Sequence, residues 1–283
     1  MGKIKITCDS TCDLTRELYE KYDIDVTPLG IALGESLYHD GVDVSTSDVF
    51  KFVDDTGMLP KTSAVSVGEY IELFEKYVKD GYSVIHINIS SEFSSCHQNA
   101  RLAAAEVGNV YPIDSRNLSS GSGHLVLAAA ELARECDNAE EIVEKLNEMK
   151  NRLDVSFVLQ TLEYLKKGGR CSAIAAFGAN ALRLRPEIEV VNGKMQVAKK
   201  YRGSIQKSVE DYVRGRLEGR DDLQLNRIFV THSHVPDDVL QSTVALVREL
   251  APFSEVIVTV AGCTISSHCG PACLGVLFFR KGE

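Results

Sequence analysis

In this chain of 283 residues the side chains able to do chemistry fall in a few short stretches. Near the C-terminus, Ser266-Ser267-His268-Cys269-Gly270-Pro271-Ala272 lies between strand-like runs at 255–260 and 274–280. A His beside a Gly-Pro turn is expected on a rigid bend where the two strands meet, because Pro fixes φ and Gly frees the backbone. An imidazole so placed suits an anionic or polar ligand group. In an ordinary hairpin the same residue is a core His satisfied by backbone. Ser94, in Phe93-Ser94-Ser95-Cys96 at the predicted start of a helix, sits where N–H groups and the helix dipole favour a carboxylate. Thr62, in Pro60-Lys61-Thr62-Ser63, is read as part of a loop before a helix, its hydroxyl serving a ligand or the turn itself. Arg170 follows Gly168-Gly169, the place of a surface Arg after a C-cap glycine.

Asp9-Ser10, Ser90-Ser91 and Asp114-Ser115 each follow a predicted strand directly. Ligands of open parallel sheets bind outside the carboxyl ends of strands, so three such ends mark a crevice. The same residues are also good helix caps, and Ser10 with Asp13 has capping-box spacing. For Asp9, Ser10 and Asp114 capping and crevice shaping are expected rather than ligand contact. Gly121-Ser122-Gly123 begins like a dinucleotide loop but lacks the third Gly and follows the wrong strand. His232-x-His234 would put two rings on one face of a strand, yet no acidic or His cluster accompanies them to hold a metal. Ser94 and His268 could imitate a hydrolase pair, but the sequence has no Gly-x-Ser-x-Gly elbow.

The elements that must position these residues alternate between strand and helix in the N-terminal half. The runs at 3–7, 83–89 and 110–113 are strands, and those at 14–22, 67–79, 95–106 and 121–134 are helices. The segment 83–89 is almost continuously apolar, as a strand covered on both faces must be. This βα alternation implies a parallel sheet with crossover helices. After a helix at 139–153 the pattern becomes α+β, with a hairpin at 187–199 turning on Asn192-Gly193. A boundary near residue 155 is therefore expected, with an α/β domain over 1–155 and an α+β domain over 156–283.

A net charge of −9 and a pI near 5.4 argue against a nucleic acid partner, as does the scatter of the basic residues. No apolar run is long enough to span a bilayer, and the N-terminus has no signal-peptide core. Ile6 stands where a myristoylation signal needs Ser or Thr. A cytoplasmic protein is the expectation. The eight cysteines then imply free thiols, buried for Cys8 and Cys171, with no Cys-x-x-Cys pair to suggest zinc. A metal or redox role for Cys269 and Cys273 is not supported by their spacing.

Taken in order, Asp9-Ser10-Thr11-Cys12-Asp13-Leu14, Lys61-Thr62-Ser63, Ser90-Ser91-Glu92-Phe93-Ser94-Ser95, Asp114-Ser115-Arg116-Asn117, Tyr164-Leu165-Lys166-Lys167-Gly168-Gly169-Arg170 and the His-x-Gly-Pro turn resemble the DegV family of bacterial fatty-acid-binding proteins, over residues 5–279. The resemblance implies an α/β fold: an N-terminal parallel-sheet α/β/α domain, then an α+β domain with a mixed sheet that encloses an acyl chain. It implies a long-chain fatty acid as ligand, its carboxylate at the domain interface near Thr62, Ser94, His268 and Arg170. It implies a separate fatty acid kinase as partner, and no cofactor, metal or turnover of the chain's own. Arg202, in Tyr201-Arg202-Gly203, matches an exposed family position suited to partner or phosphate contact. The segment 172–182 is rich in small residues, with Ile174, Phe177 and Leu182 at helical spacing; it is either core or the wall of an acyl tunnel. Ser95, Cys96, His97, Val65 and Ala272 depart from the family's usual Gly, Thr, Tyr, Pro and Gly. The alternatives are a serine hydrolase or acyltransferase using Ser94 and His268, and a phosphotransfer module. A ring beside a carboxylate is expected to be drawn toward its protonated form.

Overall fold

The computed structural model describes residues 3–170 and 184–282. The N-terminal half builds a parallel sheet in the order β2-β1-β6-β7, from β1 (Lys3–Asp9), β2 (Asp25–Thr27), β6 (Tyr82–Asn88) and β7 (Val110–Asp114). Registers such as Ile6 with Ile85 and Ile87 with Ile113 stack branched apolar side chains across it. On one face α3 (Val67–Val78) and α4 (Cys96–Val107) bury Tyr70, Phe74, Ala100 and Ala103. On the other lie α5 (Ser119–Leu132) and α6 (Ala139–Met149), the latter burying Ile142 and Leu146. The short helices α1 (Arg16–Tyr22) and α2 (Thr46–Thr56) and an antiparallel three-stranded sheet complete this half. That small sheet runs β4-β3-β5, from β3 (Gly30–Leu33), β4 (Ser36–His39) and β5 (Lys61–Ser63).

The C-terminal half is a mixed six-stranded sheet in the order β10-β9-β8-β13-β11-β12. Its strands are β8 (Leu153–Val158), β9 (Leu184–Val191), β10 (Lys194–Arg202), β11 (Leu223–Ser233), β12 (Glu255–Val260) and β13 (Cys273–Arg280). Residue 155 therefore falls inside the central strand β8. Helices α8 (Ile205–Leu217) and α9 (Asp237–Leu250) cover one face through Val209, Tyr212, Val213 and Val247. The short α7 (Glu163–Gly168) and α10 (Cys263–Cys269) lie toward the N-terminal half.

Helix α5 joins the halves. Every residue from Ser119 to Ala130 is buried, because the parallel sheet packs on one side and Val155, Phe229 and Leu277 of the mixed sheet on the other. The Gly-Ser-Gly of the apparent nucleotide loop is a packing device here: a Cβ on Gly123 would stand 2.7 Å from the Cys12 carbonyl, and one on Gly121 2.8 Å from Val155 Cγ2. His124, in the same helix, bonds the Leu277 carbonyl at 2.9 Å through Nε2. Burial pushes its pKa down to about 3, so it is a neutral core residue.

Three expectations are corrected. Residues 255–260 and 274–280 do not form a hairpin: β11 lies between β12 and β13, parallel to the first and antiparallel to the second. The chain between them forms α10, so His268 sits in the last turn of a helix and not on a bend. Lys61-Thr62-Ser63 is the strand β5 and not a loop, its Thr62 paired with Ile31 of β3. The two His of His232-x-His234 do not share a strand face either, because β11 ends at Ser233 and His234 has a left-handed backbone with φ 48°.

Candidate functional site

The carboxyl ends of β1, β6 and β7 are tied down by their own polar residues. Asp9 is wholly buried and accepts from Tyr70 Oη at 2.6 Å, Asn88 Nδ2 at 3.2 Å and the Ile89 amide at 3.0 Å. Asp114 accepts from Ser91 Oγ at 2.6 Å and from the Arg116 amide at 2.8 Å. Ser10 Oγ donates to Asp40 at 3.1 Å and accepts from the Leu29 amide at 3.1 Å. The expected capping by Asp9 and Ser10 is replaced by cross-links between elements. The capping box of Ser10 and Asp13 does not form. Asp13 reaches instead to Ser119 Oγ and to the Gly262 amide, the latter at 2.9 Å.

Those cross-links set α10. Asp40 accepts from the Cys263 amide at 2.8 Å and the Thr264 amide at 3.1 Å, satisfying two orphan donors at the helix start. The helix then carries His268 to the crevice, where its Nε2 lies 2.9 Å from Thr62 Oγ1 of β5. Gly168, the last residue of α7, lies against the other ring nitrogen, leaving no room there for a Cβ. Among the described residues, His268 Nδ1 is buried without a partner.

Thr62 and His268 share a cavity of about 50 Å³ with Ser94 and Arg170. Leu29, Ile89, Phe93, Leu118, Leu165 and Met195 make most of its walls apolar. Ser94 precedes the N-cap of α4; its hydroxyl donates to Cys96 Sγ at 3.1 Å and accepts from the Cys96 amide at 3.3 Å. Arg170 is exposed at the cavity mouth and donates to the Gly168 carbonyl at 2.8 Å. Burial, and then the charge of Arg170, push the His268 pKa down to about 4. In this ligand-free state the ring is thus neutral near pH 7, a group with one N–H donor.

Thr264 was not foreseen in the sequence. Among the described residues its Oγ1 is buried without a partner, on a residue lining the cavity, and reading the segment as a turn hid its place one helical turn before His268. Arg202 ends β10, exposed and not among the residues lining the cavity. Ile174, Phe177, Leu182 and Cys171 lie outside the described residues. Cys8, Cys12, Cys96, Cys263, Cys269 and Cys273 are buried free thiols. Among the described residues no helix is long and apolar enough to cross a membrane.

A parallel α/β layer and a mixed sheet share one buried helix, and a helix from the second half closes a cleft at the strand ends of the first. The chain belongs to the DegV family, whose model, described as an uncharacterised protein family, matches residues 3–281. A DegV domain-containing protein of Clostridium perfringens is 31% identical over 286 residues, covering 99% of this chain and all of the relative. The solved structure described as fatty acid binding of a DegV family protein from Thermus thermophilus matches with a TM-score of 0.89. It is 29% identical and covers 99% of this chain and all of its own. A DegV lipid binding protein from Thermotoga maritima matches with a TM-score of 0.86 at 26% identity, covering 99% of each chain.

Proposed function

We propose that this protein is a cytoplasmic carrier that binds a long-chain fatty acid and presents it to a separate fatty acid kinase for acyl phosphate formation. The carboxylate lies between Thr62, Ser94 and His268, with Arg170 supplying positive charge at the mouth. The observation that carries this reading is the Thr62–His268 pair inside an apolar-walled cavity, at 2.9 Å, with both other head-group residues on the same cavity. A neutral His268 donating through Nε2 to Thr62 turns the threonine hydroxyl outward as a donor to an anion. Similarity to DegV proteins described as fatty acid and lipid binding supports the ligand class.

A cavity of about 50 Å³ holds a head group and little more. The tail runs into the domain that begins near residue 155, and its entry parts the walls. Each buried methylene contributes ~0.8 kcal/mol toward that opening. Arg170 and the exposed Arg202 are the cations that meet the kinase or the incoming phosphate. The hydrolase alternative has less support: among the described residues Ser94 is bonded to Cys96 and not to His268, and no carboxylate bonds the ring.

Solvent extraction of the purified protein followed by mass spectrometry should yield a long-chain acid. Ser94→Ala and Thr62→Ala should each lower its affinity by about tenfold or more while melting stays cooperative, because a hydrogen bond to a charged group is worth ~1.5–3 kcal/mol. Unchanged affinity in both variants would sink the head-group assignment. Steady ester hydrolysis abolished by Ser94→Ala would favour the enzyme.

A further inference from the structure

A second, larger cleft of about 350 Å³ opens where the loop after β7 faces the turn after α6 and the Asn192-Gly193 turn of the β9–β10 hairpin. Arg116, Lys150 and Arg280 line it, and among the described residues none of them has an ion-pair partner. Arg116 is exposed on a left-handed backbone with φ 51°. Asp114, the acid nearest in sequence, bonds the Arg116 amide and the Ser91 hydroxyl, and not the guanidinium. Lys150 is half-buried and donates to neutral acceptors, the Asp114 carbonyl at 3.3 Å and Asn147 Oδ1 at 2.6 Å. Arg280 donates to the Asn151 carbonyl at 2.9 Å. A fourth cation on the wall, Arg216, is neutralised by Asp154, Glu187 and Glu189. Among the described residues, Arg216 Nε and Asn117 Oδ1 of the wall are buried from solvent without a partner.

We propose that this cleft binds a small organic phosphate, its phosphoryl group held by Arg116, Lys150 and Arg280. The acids of the wall, Asp154 and Glu189, are engaged by Arg216. Burial disfavours the Lys150 ammonium and the charge of Arg116 adds to this, against an opposing pull from Asp114, and together they push its pKa down. A bound dianion relieves both effects. A phosphate monoester carries about −1.5 to −2 charges near neutral pH, which matches three unpaired cations better than a single carboxylate does. Guanidinium groups also take phosphate oxygens in a bidentate fork. At about 350 Å³ the cleft has room for a ligand body beyond the phosphoryl group, which favours an organic phosphate over the inorganic ion.

The cleft is independent of the fatty acid reading, since none of its residues lines the head-group cavity. The full chain would be titrated calorimetrically at constant ionic strength with AMP, phosphoserine and inorganic phosphate. Saturable binding of an organic phosphate is expected, tighter than that of inorganic phosphate. Arg116→Gln and Lys150→Gln should each weaken it by about tenfold or more. Lipid retained by Arg116→Gln should equal that of the wild type, and because this side chain is exposed the variant should fold. The proposal is overturned if none of the probes binds saturably, if both variants bind as the wild type does, or if inorganic phosphate binds as tightly as the esters.

Discussion

His268 reaches its cavity as a neutral ring because two effects act in the same direction. Burial removes water from the imidazolium, and Arg170 adds a like charge nearby, so the pKa falls from 6.5 to about 4. The folded value lies below the unfolded one. This group therefore contributes stability present above about pH 6.5 and lost as the pH falls through about 4. A carboxylate in the cavity acts in the opposite sense and raises the ring's pKa again. Ring nitrogen shifts followed by NMR should show His268 titrating near pH 4 in delipidated protein, and distinctly higher once a fatty acid is added. An identical midpoint in both states would mean that no anion sits beside the ring. Thr62, Ser94 and Arg170, which the sequence singles out together with His268, line one cavity with it. Thr264 was not legible there, since a lone Thr in a stretch of small polar residues gives no sign that its hydroxyl is buried.

At the scale of elements, the site depends on how closely α7 approaches α10. Gly168 closes α7 directly against the His268 ring, and a side chain there would overlap Nδ1. Gly168→Ala should therefore swing the ring away from Thr62 and cost most of the fatty acid affinity. The global melting temperature should change by no more than a few degrees, since the ring sits at the cavity and not in the main core. Lipid binding at the wild-type level in Gly168→Ala would show that the ring's present position is dispensable. The elements also differ in how far they could be read from sequence. Helix α4, expected over 95–106, starts and stops within a residue or two of that range. Strand β5 is three residues without an apolar side chain, so nothing in its period distinguishes it from a loop; its partner β3 makes it a strand. Helix α10 is seven residues ending in Gly270-Pro271, and breaker residues at its end masked the helix before them. Its start is held by Asp40, more than two hundred positions earlier, which no local pattern can reveal.

Across the whole molecule the halves are held in register by α5 and by two carboxylates, Asp13 and Asp40, that cross to the backbone before and at the start of α10. Asp13 is almost fully buried, with a left-handed backbone at φ 48°. Burial raises its pKa from 3.8 to about 7; bonds from Ser119 and Gly262 oppose the rise, and the charge of Asp40 adds to it. Because the folded value exceeds the unfolded one, the group contributes stability that is fully present below about pH 3.8. That contribution is lost as the pH rises through about 7, where the folded protein must ionise a buried acid. The joint between the halves should therefore weaken progressively as the pH rises from about 3.8 to about 7 and change little above that. Asp13→Asn keeps an oxygen to accept from Gly262 and removes the ionisation. Urea unfolding of both proteins at about pH 5 and about pH 8 isolates the effect, because every other titrating group is common to the pair. Relative to the variant, the wild type should lose on the order of 1–4 kcal/mol between those two conditions. Parallel pH dependence in the two proteins would mean that Asp13 does not titrate in this range, and that the halves are joined by packing around α5 without a pH-sensitive carboxylate.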